Sequence, residues 1–466
     1  MTNGGPEHAL TLAELSAARA AEAIRSGECT AEELVQACLD RIAEIEDTVQ
    51  AWAHLEPEYA LEQARAADEA YRAGMSQGPL HGIPVGVKDI FDTKDMPTED
   101  GTVLHKGRMP GVDATAVARL REAGAVIMGK TVTTELAVYA PGKTLNPHDP
   151  GRTPGGSSSG SAAAVAAHMV PLATGSQTNG STIRPASYCG VYGFKPSHGL
   201  ISRHHVLQLS RHLDQIGVFA RTIEDTALIA EALIAYDEHD PDTRPRARPD
   251  LTRAVTEEPP VTPHLGFVKT PVWDQADEDT KEAFPELAEH VSETVKDISD
   301  DKVETLAGDV VKEAELPELF NEAHGWLQTI MEADLASSLA HEYETGRDKL
   351  SAVLREMIER GQKVLAVDYN RAVDGIEVLN SLLDPIFEQY DAILTPAATG
   401  EAPVGLDSTG SPTFCTIWTL CGMPAITVPI LKGSSGMPIG VQVVGPKGDD
   451  ARLLRTARWL VDIAGK

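Results

Sequence analysis

Short apolar runs of β-type residues alternate with helical runs from residue 83 onward, and this alternation allows few folds. The β-type runs are IPVGVKDIFD (83–92), AVIMG (125–129) and VPLAT (170–174), and helical patterns such as DATAVARLREAG lie between them. Strands that alternate with helices are typical of an α/β sheet covered by helices. Strand patterns return near the C-terminus in AILTPA, AITVPIL and PIGVQVVG, so we expect one sheet built from distant parts of the chain.

The patterns divide the chain into five segments, which we interpret as parts of one large domain. A length of 466 residues would allow about three domains of ~150 residues. However, strand patterns flank the helical middle on both sides, which favours a single domain with an insertion. The predicted segments are N-terminal helices (1–75), the core with the candidate site (76–235), an exposed connection rich in proline and charge (236–263), a strand with a helical insertion (264–390), and the C-terminal part of the core sheet (391–466). Within the insertion, residues 310–365 are a candidate cover of the site.

Composition excludes several classes of function. The net charge is −30, from 70 acidic and 40 basic residues, which repels phosphate backbones and anionic membranes. We therefore expect neither nucleic-acid binding nor membrane association. The five cysteines lack CxxC spacing and the N-terminus lacks a signal-peptide pattern, so we expect reduced thiols in a cytoplasmic protein. HExxH and paired CxxC motifs do not occur, and we predict no metal and no cofactor.

Two stretches of small polar residues, GGSSSGS (155–161) and GSQTNGSTIRP (175–185), are the candidate site. Phosphate binding is not expected, because no lysine stands in the Walker position. GSSSG also fits the GxSxG elbow on Ser158, but that elbow follows a strand, and the residues here before it are turn-rich. The two stretches are either flexible linkers or one site built from both.

Lys88 follows the apolar residues PVGV in a predicted strand. A lysine in this position either extends to the surface or is buried, and the strand pattern alone favours the surface. Burial would lower its pKa from ~10.4 and give a neutral amine that can act as a general base.

These motifs together resemble the amidase signature family. The likeness is carried in order by GIPVGVKDIFD, TPGGSSSGSAAAVAA, GSQTNGSTIRPAS, CGVYGFKPSHGLIS and TLCGMPAITVP, and it spans residues 11–460. It implies an α/β/α sandwich with a mixed central sheet covered by helices. It further implies a catalytic triad of Lys88 as base, Ser157 as bridging serine on a cis peptide bond, and Ser181 as nucleophile. The turn at Thr178, Asn179 and Gly180 would form the oxyanion hole, and no cofactor is implied.

The chain departs from the family pattern at three positions. Gln177 replaces the usual aspartate, Asn179 replaces a glycine, and Arg184 is displaced by one place. We therefore expect a neutral hydrogen bond from Gln177 rather than an Asp–Arg pair. Asn179 is expected to keep the turn, because asparagine tolerates left-handed backbone geometry.

These departures favour a free-standing amidase that acts on small neutral amides, among them aryl amides, anilides and carbamates (urethanes), with an esterase side activity. Two alternatives stay open, the A subunit of a glutamine-dependent amidotransferase and a non-catalytic binding protein, and so does a homodimer. Phe414 and Trp418 are candidates for an acyl pocket or for the core, and Glu135 for a functional or a structural role.

Overall fold

A computed structural model describes residues 11–75, 78–298 and 309–465. In these residues eleven strands form one sheet. The strands are β1 Trp52–Leu55, β2 Pro84–Lys88, β3 Val126–Thr131, β4 Leu172–Gln177, β5 Tyr192–Lys195, β6 Gln215–Ala220, β7 Leu265–Phe267, β8 Val311–Glu313, β9 Ala392–Pro396, β10 Ala425–Lys432 and β11 Pro438–Val444.

Fifteen α-helices accompany the sheet in the same residues. They are α1 Ala17–Ser26, α2 Ala31–Val49, α3 Pro57–Arg72, α4 Thr115–Glu122, α5 Ser159–Ala166, α6 Ile183–Cys189, α7 Ile223–Leu233, α8 Leu251–Ala254, α9 Glu278–Ile298, α10 Ala323–Ser338, α11 Ala340–Gly346, α12 Ala352–Gly361, α13 Ala366–Gln389, α14 Thr416–Leu420 and α15 Asp450–Ala464.

The sheet is mixed, with the strand order β1-β3-β2-β4-β6-β5-β10-β11-β9-β7-β8. Strand β2 lies parallel between β3 and β4, and β7 lies parallel between β9 and β8, while the other neighbours are antiparallel. Strands from near both ends of the chain therefore share one sheet. The predicted α/β class with a mixed central sheet is confirmed.

The N-terminal segment differs from the prediction in one element. Residues 52–55 were expected to belong to helices, but they form β1, which pairs antiparallel with β3 at the edge of the sheet. Helix α2 before it begins at a capping box, in which the Thr30 hydroxyl accepts the Glu33 backbone N–H and the Glu33 side chain accepts the Thr30 backbone N–H. Four residues are too few to show a strand period, so pairing with β3 rather than local sequence decides this element.

The connection over residues 236–263 is not exposed throughout. Asp237 and Asp240 are buried, and Asp240 accepts hydrogen bonds from the Arg203 guanidinium and backbone N–H. Leu251 begins the short helix α8 and is also buried. The proline-rich and charged composition suggested a solvated segment, but these ion pairs and contacts hold part of it against the core. The five-segment division itself stays a prediction.

Among the helices of the described residues, none combines the length and the apolar composition that crossing a membrane requires.

Candidate active site

Lys88 is fully buried at the end of β2, where it faces the Ser/Gly stretches. Its Nζ atom lies 2.7 Å from Ser157 Oγ and 2.8 Å from Ser176 Oγ. Its backbone N–H donates to Thr174 Oγ1 on the neighbouring strand β4 at 3.0 Å. Of the two positions considered for this lysine, the surface position favoured by the strand pattern alone is wrong, because the parallel strands β3 and β4 enclose β2.

Burial holds the pKa of Lys88 well below its ordinary value, because the protein interior disfavours the charged ammonium. The carboxylate of Asp214 acts in the opposite direction. In the described chain no carboxylate forms an ion pair with Lys88. Burial therefore favours the neutral amine, whose lone pair can accept a proton.

The first Ser/Gly stretch approaches other backbones so closely that it needs glycine. Gly155 has a φ of 82°, and a Cβ atom there would lie 2.8 Å from Pro185 Cα at the far end of the second stretch. A Cβ atom on Gly160 would lie 2.3 Å from Val132 N. The peptide bond between Gly156 and Ser157 is cis, in agreement with the resemblance.

Two residues join the stretches to each other. The guanidinium of the fully buried Arg184 donates from Nη2 to Gly156 O and from Nη1 to Gly410 O, both at 2.6 Å. Ser158 Oγ lies 3.3 Å from both Ser176 N and Ser176 O. The two stretches therefore form one site, and Arg184 holds the peptide that precedes Ser157.

Gln177 supports the turn that follows β4. Its Oε1 accepts hydrogen bonds from the N–H groups of Thr182 and Ile183, at 2.9 and 3.0 Å, where α6 begins. Its Nε2 donates to Thr419 Oγ1 at 2.8 Å, and that hydroxyl donates to Asn179 O at 2.5 Å. The expected neutral hydrogen bond from Gln177 is thus present, and it goes to Thr419 rather than to Arg184.

The turn from Thr178 to Ser181 is held by side chains on both sides. Thr178 Oγ1 donates to Asp214 Oδ1 at 2.6 Å. The Asn179 amide lies 3.2 Å from the Tyr139 hydroxyl and accepts from Thr416. Contrary to the expectation, Asn179 does not have a positive φ, so its side-chain bonds rather than left-handed geometry explain the asparagine.

Ser181 ends this turn and is 8% exposed. Lys88 and Ser157 are in direct contact. Among the described residues no hydrogen bond joins Ser157 Oγ to Ser181 Oγ, so Ser181 lies beside this pair without a bond to it. In the same part of the chain no hydrogen bond uses the backbone N–H of Asn179, Gly180 or Ser181 as donor. These donors are available to a substrate oxygen.

A cleft of about 320 Å³ opens beside Asn179. Helices α10 and α12 and the segment before α14 line it, together with Tyr139. The apolar side chains are Leu327, Met331, Val353 and Met357, and the polar ones include His324, Gln328, Thr413 and Thr416. Residues 310–365, the candidate cover, thus contribute lining to the cleft beside the nucleophile turn.

The cleft is lined by one carboxylate and one guanidinium, and these bind each other. Arg360 Nε lies 3.0 Å from both oxygens of Glu332, and Arg360 Nη2 lies 2.6 Å from Glu332 Oε1. Gln328 Nε2 donates to the same carboxylate at 3.1 Å. Burial lowers the pKa of His324, which donates to Thr413 O. The lining therefore presents no unpaired charge.

Three further candidates have structural positions. Phe414 and Trp418 are buried and do not line this cleft, and Phe414 packs edge-on against Trp273. The Glu135 carboxylate accepts the backbone N–H of Ser351 at 3.1 Å, just before α12. Glu135 thus anchors a helix of the cleft wall.

A family model described as Amidase matches residues 33–454. The chain belongs to the amidase family. The resemblance that the motifs predicted is confirmed, and this amidase is an enzyme that hydrolyses amide C–N bonds.

Curated relatives of this amidase include proteins named for tRNA amidotransferases. The A subunit of glutamyl-tRNA(Gln) amidotransferase from Chloroflexus aggregans is 34% identical over 478 residues, which cover 95% of this chain and 94% of the relative. The relative of the same name from Thermobifida fusca is 34% identical over 482 residues, with 95% and 94% covered. These relatives carry the name of the alternative rather than that of a free-standing amidase.

Solved structures similar to this amidase include a cyclic dimer hydrolase and a peptide amidase. The 6-aminohexanoate cyclic dimer hydrolase complexed with substrate has a TM-score of 0.84 at 26% identity, with 98% of both chains covered. The native peptide amidase from Stenotrophomonas maltophilia has a TM-score of 0.80 at 28% identity, with 97% of both chains covered.

Sequence reasoning missed several residues that touch the predicted ones, among them Ser176 and Asp214. Ser176 binds Lys88 Nζ, and Asp214 binds Thr178. The position of Ser176 two residues after Thr174 on β4 gave a signal, because alternate residues of a strand share a face and Thr174 also binds Lys88. Asp214 gave none, since its contact depends on the pairing of β6 with β4.

Proposed function

We propose that Ser181 is the nucleophile of this amidase and that Ser157 and Lys88 form its proton relay. The observation that supports this most is the buried Lys88, which has no ion pair in the described chain and lies 2.7 Å from Ser157 Oγ. A neutral amine offers a lone pair, so at this distance it can take the Ser157 proton. A buried lysine with a lowered pKa beside serine hydroxyls is an arrangement typical of catalysis rather than of core packing.

In the proposed reaction Ser181 Oγ attacks the carbonyl carbon and passes its proton to Ser157 Oγ. The proton of Ser157 moves to Lys88 Nζ. The relay then runs in reverse and protonates the leaving nitrogen, the C–N bond breaks, and the acyl group remains on Ser181. Water attacks this ester by the same relay and frees the serine. The turn at Thr178, Asn179 and Gly180 binds the oxyanion, and losing one such donor typically costs about 3–4 kcal/mol.

The preferred substrates, in this proposal, are small neutral amides, and aryl amides, anilides and carbamates belong to the same class. The support comes from the cleft, whose carboxylate and guanidinium are occupied by each other. Leu327, Met331 and Met357 give it an apolar wall. Ester hydrolysis follows as a side activity, because the relay acts on the carbonyl that esters share with amides.

The curated relatives support a second candidate, the glutamine-hydrolysing A subunit of an amidotransferase. Free glutamine carries an α-ammonium and an α-carboxylate, and desolvating both requires opposite charges in the site. The Glu332–Arg360 pair would have to open to supply them. The cleft thus supports a neutral amide substrate, whereas the names of the relatives support glutamine.

The five cysteines of the chain are free and buried. Reduced thiols fit a reducing compartment, and we propose that the reaction takes place in the cytoplasm.

The deciding experiment is turnover of an aliphatic amide, a nitroanilide, an aryl carbamate and glutamine by the wild type and by Ser181→Ala. We expect cleavage of the anilide or carbamate by the wild type and loss of that cleavage in the variant. Turnover of glutamine alone would identify the second candidate. If no compound reacts, a fluorophosphonate probe separates a narrow substrate range, which leaves Ser181 labelled, from a non-catalytic binding protein, which leaves it unlabelled.

A further inference from the structure

A buried carboxylate lies across the sheet from the nucleophile turn. Strands β4 and β6 are antiparallel with Gln177 opposite Gln215, so Asp214 comes directly before β6 where Thr178 comes directly after β4. Asp214 Oδ1 accepts the Thr178 hydroxyl at 2.6 Å. Its Oδ2 accepts the N–H groups of Leu209 and Ser210, at 2.7 and 2.9 Å. Three donors therefore fix the position of the carboxylate.

The negative charge of Asp214 has no ion pair among the described residues. The nearby guanidinium of Arg203 binds Asp240 and Asp242, and it reaches only the backbone carbonyl of Asp214, at 3.2 Å. Lys88 likewise lacks an ion pair in the described chain. Burial raises the pKa of Asp214, and the hydrogen bond from Thr178 and the charge of Arg203 oppose this. Lys88 Nζ binds Ser176 at 2.8 Å, and Asp214 binds Thr178, two residues further along the same stretch, at 2.6 Å. The Asp214 carboxyl group therefore lies on the side of Lys88 where β4 ends, and its negative charge acts to raise the pKa of Lys88.

The segment that holds Asp214 is itself fixed on helix α10 of the cleft wall. Ser210 Oγ donates to Asp334 Oδ2 at 2.5 Å, and the Tyr369 hydroxyl on α13 donates to the other oxygen at 2.9 Å. Ser338 Oγ donates to Leu209 O at 3.0 Å. A continuous series of hydrogen bonds thus runs from the nucleophile turn through Asp214 to the helical insertion.

We propose that Asp214 is a positioning residue of the hydrolysis, which holds the nucleophile turn through Thr178 and stabilises the ammonium that Lys88 becomes during proton transfer. This inference rests on the proposed roles of Lys88 and Ser181. When the proton of Ser157 moves to Lys88 Nζ, a positive charge forms in the interior, where an opposite charge is most effective. When the proton goes on to the leaving nitrogen, Lys88 is neutral again and the carboxylate is unchanged.

The test is the pH dependence of kcat/KM for Asp214→Asn, measured on the substrate that Ser181→Ala fails to cleave. Asparagine keeps the size and an acceptor for Thr178 and removes the charge, but its Nδ2 faces the N–H groups of Leu209 and Ser210, so the fold of the variant is checked first. We expect kcat to fall about 10- to 100-fold with KM within about threefold. Because the carboxylate favours protonated Lys88, its removal should move the acid limb of the profile by about one pH unit toward acid.

Thr178→Val is the matched control, since it removes the hydrogen bond and leaves Asp214 in place. It should lower kcat and move the acid limb less than Asp214→Asn does, because the carboxylate keeps the Leu209 and Ser210 donors and loses only the one from Thr178. If Asp214→Asn does not fold, as judged by circular dichroism, Asp214→Ser provides the second variant with the same expected shift. If the acid limb of Asp214→Asn is identical to that of the wild type and Ser181→Ala is inactive, the role proposed for Asp214 is wrong and the proposed function stands. Full activity of Ser181→Ala would instead reject the proposed function.

Discussion

Replacing Gln177 by glutamate tests the hydrogen bonds that hold the nucleophile turn. A protonated glutamic acid can accept the N–H groups of Thr182 and Ile183 and donate to Thr419, as glutamine does. An ionised carboxylate cannot donate. The single hydroxyl proton of Thr419 is already donated to Asn179 O, so the glutamate oxygen and Thr419 Oγ1 would face each other with no proton between them. The variant should therefore resemble the wild type in acid and differ from it at higher pH.

The magnitude follows from the lost hydrogen bond. A buried group left without its partner costs about 1–3 kcal/mol, which raises the carboxyl pKa in the folded state by roughly 1–2 units above ~4.3. The folded variant then binds more protons than the unfolded chain between these two values. Its stability relative to the wild type therefore falls as pH rises, by at most about 1.4 kcal/mol per pH unit, and becomes constant above the folded pKa.

Thermal unfolding between pH 4.5 and 8 measures this difference. With an unfolding entropy of roughly 2.1 cal/mol/K per residue, a chain of 466 residues loses about 1 °C of Tm for each kcal/mol. We expect the Tm of Gln177→Glu to lie below that of the wild type by a difference that grows with pH to about 1–3 °C. The difference should be smaller when both proteins also carry Thr419→Val, because Gln177 has then lost its acceptor too. A deficit that is independent of pH, or none at pH 8, would refute the role given to the Thr419 hydroxyl.

Three further predictions concern single residues. In a pH–rate profile the wild-type kcat/KM should rise with pH and level off below the ordinary lysine pKa of ~10.4, because Lys88 must be neutral and burial lowers its pKa. Lys88→Met should remove the activity and, with it, this rise. Arg184→Met removes the donors of the buried Gly156 carbonyl and the partly buried Gly410 carbonyl, so it should reduce stability in urea by about 1–3 kcal/mol for the first and less for the second, and reduce kcat as well. Glu332→Gln frees the Arg360 guanidinium, and competition assays should then show improved turnover of amides whose acyl group carries a carboxylate. If the double variant Glu332→Gln/Arg360→Met gains as much, the freed guanidinium is not the cause.

Candidate site residues could be named from the sequence because short motifs that resemble the family pattern contain them. Lys88, Ser157 and Ser181 each lie in such a motif, and their catalytic roles stay predictions. The family and the mixed α/β sheet were predicted for the same reason. Burial of Lys88 was not decided by the strand pattern alone, since a short run of apolar residues fits a central strand and an edge strand equally.

The remaining contacts depend on residues far apart in sequence. Asp214 reaches Thr178 only through the antiparallel register of β6 with β4. The Glu332–Arg360 pair joins two helices whose charged residues have ordinary helical spacing, so nothing local separates them from a solvated surface. Strand β1 depends on β3 for its hydrogen bonds. In each case a partner that cannot be located from the sequence determines the position of the side chain.

The departures from the family pattern can now be understood as one set of compensations. The Gln177 amide combines an acceptor for the start of α6 with a donor for Thr419, a combination that an ionised aspartate or glutamate cannot provide. Thr419 passes this support to the carbonyl of Asn179, while the Asn179 side chain binds Tyr139 beside the cleft. Arg184 needs no carboxylate, because it binds two backbone carbonyls. Because Gln177 is neutral, the carboxylate that we propose to act on Lys88 is that of Asp214, which has no ion pair among the described residues.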